Sequence, residues 1–142
     1  MGIKYKNLDR TRLPGLGQPH HFTTVRDFTA SVNFLIWAAP VACRFNELKI
    51  YTTTSSTHSS ENYLHYTLFR AQDSAVMAAE RSTSASGGGN DFHANTAVSI
   101  TPTGNFDLTQ GSLLELRFSA TCQVNLSGVL LEMLYTPNIH VR

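Results

Sequence analysis

The side chains in this sequence able to do chemistry are six histidines (His20, His21, His58, His65, His93 and His140), two cysteines (Cys43 and Cys122) and ten carboxylates. His58, Glu61 and His65 could be drawn as a metal set. Their spacing fits neither a helix-borne H-E-x-x-H nor a zinc finger. Two histidines that flank a Ser/Thr loop and enter a strand need not point the same way. His20 and His21 follow Pro19, the setting of an exposed turn. Nucleophilic catalysis finds no G-x-S-x-G elbow, and Cys43 has no recognisable partner set. Gly111 and Gly128 bracket a strand, so residues 111–128 are no phosphate loop. Glu115 and Glu132 fall on strands expected to be neighbours, with Arg117 nearby, and read as cross-strand surface pairs. The expectation is no enzyme, no metal and no cofactor.

The elements that must carry these residues are strands. Val32, Phe34 and Ile36 alternate with Asn33, Leu35 and Trp37. Leu48 and Ile50 alternate with Glu47 and Lys49, and Leu64, Tyr66 and Leu68 with His65 and Thr67. Leu114, Leu116, Phe118, Ala120 and Cys122 share one face, opposite Glu115, Arg117, Ser119 and Thr121. Val129, Leu131, Met133 and Tyr135 repeat the theme. A period of two places each set on one side of a pleated strand. Turn signals at 54–60, 72–74, 86–90, 103–105, 110–111 and 125–128 separate the runs, which suggests an all-β sandwich or barrel. Residues 74–81 suit a short helix and a strand equally. Trp37 and the five tyrosines could stack on sugars, but the apolar neighbours of Trp37 favour a place in the core.

Residues 1–24 differ. Arg12-Leu13-Pro14-Gly15-Leu16-Gly17-Gln18-Pro19 has two prolines, two glycines and no sustained period, the mark of an extended arm. Ile3, Tyr5, Leu8, Leu13, Leu16 and Phe22 punctuate it as isolated apolar anchors. Such an arm either docks onto something else or packs on its own domain. Lys4, Lys6, Arg10 and Arg12 stand against Asp9 alone, whereas the rest of the chain has 7 basic and 9 acidic residues. Tyr5 interleaved with these cations could contact phosphates. The body carries no basic stripe, so no nucleic-acid partner is expected. The division is an arm over 1–24 and a β-domain over 25–142.

Composition sets the outer bounds. A chain of 142 residues fits one core. Charged residues are 15%, below the roughly 25% of ordinary domains. Ser and Thr supply 29 positions, which suits strands, turns and surfaces meant to be covered, where an unpaired charge is costly to desolvate. The net charge is +1, which excludes a polycation. The apolar run 34–41 is too short to span a bilayer, and no amphipathic helix offers a membrane surface. No signal peptide is expected, so the chain reads as made inside the cell and the Asn125-Leu126-Ser127 sequon as chance. Two cysteines are no disulfide framework; they read as buried thiols, and whether they approach one another stays open.

The order of strands and turns in the second half carries a resemblance. Ser99-Ile100-Thr101-Pro102-Thr103-Gly104-Asn105-Phe106-Asp107-Leu108 leads into Gly111-Ser112-Leu113-Leu114-Glu115-Leu116-Arg117-Phe118. The closing strand runs Gly128-Val129-Leu130-Leu131-Glu132-Met133-Leu134-Tyr135-Thr136-Pro137. Over roughly 28–137 this pattern resembles the jelly-roll capsid decoration, or cement, proteins of tailed bacteriophages. The resemblance implies a jelly-roll-like antiparallel β-sandwich on the exterior of the virion, made in the host cytoplasm. It implies a homotrimer whose partner is the major capsid protein. The arm, with Lys4, Tyr5, Lys6, Leu8, Arg10, Arg12, Leu13 and Leu16 as its docking residues, is similar in kind to arms that tie such proteins to capsid subunits. A carbohydrate-binding or host-adsorption module of a tail or head fibre is the alternative.

Overall fold

The computed structural model describes residues 20–25 and 32–138, apart from 58, 85–89, 105 and 122–125. It is all-β, with no helix among the described residues. One sheet holds β1 (His20–Val25), β10 (Val129–Pro137), β3 (Cys43–Tyr51) and β7 (Val98–Ile100) in that order, with β8 (Asp107–Leu108) also on β3. The other holds β2 (Val32–Ala38), β9 (Leu113–Ala120), β4 (Leu64–Arg70) and β5 (Ala75–Val76), with β6 (Arg81–Ser82) also on β4. Residues 74–81 therefore contribute to two short strands and no helix.

The pairs are nested. β1 pairs β10, β2 pairs β9, β3 pairs β7 and β8, and β4 pairs β5 and β6, all antiparallel. A chain doubled on itself in this way can wind so that β10 also meets β3 and β9 also meets β4. That is the jelly-roll arrangement of two packed sheets. β1 starts at His20, opposite Leu134, so the ladder takes in the last residues of the stretch read as an arm. The chain thus enters β1 and leaves β10 at the same end of one ladder.

Alternation builds the core. Leu64, Tyr66 and Leu68 from one strand meet Leu114, Leu116 and Phe118 from the next, all buried. Cys43, Phe45, Leu48, Ile50, Leu131 and Met133 close it from the other sheet. Rings bridge the layers: Trp37 lies 4.9 Å from Tyr135 and 6.2 Å from Phe45 between centroids. Strict alternation would turn Trp37 outward if Ile36 faced in. The register steps from Leu35–Glu115 to Trp37–Leu114, leaving Ile36 as an extra residue. This β-bulge lets both Ile36 and Trp37 enter the core.

Glu115 and Glu132 are not cross-strand neighbours. They occupy different sheets, because the chain crosses between layers from β9 to β10 instead of turning back as a hairpin. Glu132 is buried and accepts a hydrogen bond from the Tyr51 hydroxyl at 3.0 Å. Burial, then the hydrogen bond and charge of Glu132 and the charge of Glu47, push the Tyr51 phenol up.

Candidate docking face

The outer face of the β2–β9–β4–β5 sheet gathers three rows. Leu35, Glu115, Phe69 and Val76 lie in register across four strands. Asn33, Arg117 and Thr67 form the next row, and Ser119, His65 and Ser82 the third. Alternation turns them outward, since their chain neighbours Phe34, Leu116, Phe118, Tyr66 and Leu68 face the core.

The first row is an apolar ridge. Leu35 is 64% exposed at one edge and Val76 52% exposed at the other. Three strand spacings separate them, about 14 Å. Phe69, between them, lies under the Arg117 guanidinium, whose carbon is 3.8 Å from the ring centroid. Arg117 also pairs with Glu115 through its Nε, and its Nη2 reaches the Ser74 hydroxyl at 3.4 Å.

His65 and Glu80 lie together beside the ridge. His65 Nδ1 lies 3.3 Å from Glu80 Oε1, although that nitrogen makes no aligned hydrogen bond. The Tyr63 ring meets His65 edge-on at 5.0 Å. At the end of β4, opposite Leu114 and so off this outer face, Arg70 forks onto Asp73, its Nε donating to Oδ1 at 3.0 Å. That guanidinium holds the Asp73 carboxyl down to about 2. A groove of about 300 Å³ beside the ridge is lined by Asn33, His65, Thr67, Glu80, Arg117 and Ser119. A partner laid over this face would meet apolar atoms, hydroxyls and an arginine already paired with Glu115.

The residues singled out from sequence fall in several places. Lys4, Tyr5, Lys6, Leu8, Arg10, Arg12, Leu13 and Leu16 lie outside the described residues, as do His58, His140 and Cys122. His65 sits on the outer face, while Glu61 is exposed in the preceding loop, its N–H donating to the Ser59 hydroxyl at 3.2 Å. Among the described residues no three metal-ligating side chains converge. Cys43 is buried and free, its thiol pushed up by burial and then by Asp107. Tyr66 is buried and donates to the Asn90 carbonyl at 2.9 Å. Trp37 is core, so it offers no stacking platform. The ridge went unread in the sequence, because its members are spread over residues 35–115 and meet only through the sheet.

No family model and no curated protein matches the chain. Among solved structures, a chain of the cyanophage Pam1 capsid asymmetric unit aligns with a TM-score of 0.52 at 10% identity. That alignment covers 87% of this chain and 88% of that one. A chain from infectious bursal disease virus, Gt strain, aligns with a TM-score of 0.31 at 13% identity, over 80% of this chain and 32% of that one. The first likeness is one of fold.

Proposed function

We propose that this chain is a non-enzymatic structural virion protein that binds the outer surface of a phage capsid and stabilises it, as a decoration or cement protein does. The observation that carries this reading is the outer face with its Leu35–Phe69–Val76 ridge and the Arg117–Glu115 pair set over Phe69. It is a surface suited to being covered, on a fold shared with a chain of a phage capsid. The sequence resemblance supplies the finer features: the major capsid protein as partner, a trimer, and a basic arm that docks.

The physics is cooperative. A rigid sandwich offers a preformed surface, so little ordering opposes its docking. A basic arm adds contact area and steers association toward an acidic neighbour. Many weak copies per shell add by avidity. The test is co-sedimentation with undecorated, expanded capsids of the source phage. Saturable binding at a fixed ratio to the capsid protein is the expected result. Absence of binding by folded protein would overturn the reading.

A further inference from the structure

On the opposite sheet two irregularities coincide. β3 carries one residue more than β10 at Asn46, where the register steps from Leu134–Glu47 to Tyr135–Phe45. On its other side β3 is paired by β7 only at Leu48–Ile50 and by β8 only at Cys43 and Arg44. The connection between β7 and β8 departs from the strand there, turning at Gly104 with φ +89° and rejoining where Phe45 N–H donates to the Phe106 carbonyl at 3.0 Å. The bulge and the gap leave a cleft of about 470 Å³. Such a volume is in the range of small-molecule sites.

Its chemistry is uneven in a useful way. Arg44, Asn46, Thr101, Thr136 and Asn138 line it, and among the described residues no carboxylate does. Asn46 Nδ2 donates to Thr136 Oγ1 at 2.8 Å, which fixes both side chains. The second Asn46 amide hydrogen, its carbonyl oxygen and the Thr136 hydroxyl proton remain to serve a ligand. Asp107 stands opposite Arg44 in register, outside the lining. A guanidinium has five N–H donors in a fork, so it can hold a neighbour and a ligand together.

We infer that this cleft binds an acidic sugar, its carboxylate on Arg44 and its ring hydroxyls on the amides and hydroxyls of Asn46, Thr101, Thr136 and Asn138. A single guanidinium forks onto a carboxylate. The neutral lining groups donate and accept, as sugar hydroxyls do, and a bare inorganic anion would leave most of them unused. This site is on the other sheet from the docking face and does not rest on the capsid reading.

The test is saturation-transfer NMR and calorimetry on the full chain with D-glucuronate, D-galacturonate and N-acetylneuraminate, using D-glucose as the neutral counterpart. At least one acidic sugar is expected to bind saturably, and the neutral one about tenfold or more weaker. Arg44→Gln, at an exposed position, should lose at least about tenfold in affinity while the chain stays folded by circular dichroism and its capsid co-sedimentation is kept. Asn138→Ala should weaken binding without abolishing it. Failure of all three acids to bind, equal binding of glucose, or undiminished binding by Arg44→Gln would overturn the inference.

Discussion

The guanidinium of Arg117 covers the ring of Phe69 at 3.8 Å and is itself paired with Glu115, two residues away on β9. One side chain thereby shields an aromatic ring and neutralises the carboxylate in the apolar row. The ridge remains apolar at its two ends, where Leu35 and Val76 are exposed, and protected at its centre.

Arg117→Ala should therefore cost more than a surface substitution. It removes a cation–π contact and leaves Glu115, largely buried, without its cation. The expected loss is about 1–2 kcal/mol by urea denaturation. Arg117→Lys keeps the charge but not the planar fork, and should recover only a fraction of it.

Leu35→Asp and Val76→Asp separate docking from folding. Both side chains are more than half exposed, so the expected stability change is within about 0.5 kcal/mol. A charge in the ridge should nonetheless weaken capsid binding by about tenfold or more, as an unpaired carboxylate buried under a partner. Thermal melts beside co-sedimentation isotherms check both halves.

Gly128→Ala should be severe. Gly128 has φ +58°, and a Cβ there would lie 2.5 Å from Thr53 Cγ2 and 2.6 Å from Thr53 Oγ1. The Thr53 hydroxyl cannot swing away cheaply, since it donates to the Ser127 carbonyl at 2.8 Å. The left-handed backbone and the overlap together should cost about 2–4 kcal/mol. Gly111→Ala, at φ +83° with open space around it, should show only the backbone cost, about 1 kcal/mol. Adding Thr53→Ala to Gly128→Ala should return most of the overlap cost and none of the backbone cost. Chemical denaturation of the three variants measures the split.

Tyr66 should make the fold sensitive to alkali. Burial pushes its phenol up to about 12, against a smaller opposing pull from Arg81. The unfolded chain ionises this group near 10. The folded state therefore holds its proton longer, and stability falls as pH rises from 10 toward 12. The loss should be on the order of 2 kcal/mol across that window. Tyr66→Phe should flatten this dependence, while losing about 1 kcal/mol at neutral pH with the hydrogen bond to Asn90.

The strands were legible wherever a period of two runs unbroken. Leu114, Leu116 and Phe118 are core as their alternation requires, and so are Leu64, Tyr66 and Leu68. The period breaks at Ile36 and Asn46, where a single extra residue reverses the parity of everything beyond it. The sequence shows no sign of such a residue, because its cause is the register of the partner strand. The Glu115–Glu132 pairing failed for a related reason: neighbours in chain order are not neighbours in a wound double strand. The ridge was invisible for the same cause, with Val76 in a stretch that read equally as helix or strand. Trp37, by contrast, was placed in the core by its apolar surroundings, and the bulge is the device that puts it there.

The shared end at which the chain enters β1 and leaves β10 has a mechanical consequence. Antiparallel neighbours pulled apart from one end unzip pair by pair, whereas a pull along the strands loads every pair at once. A pull on His20 away from Leu134 would act first on that pair, then on each pair in turn toward Val25 and Val129. The first ladder to give way would be the outermost strand of one sheet, with the second sheet and its ridge still standing.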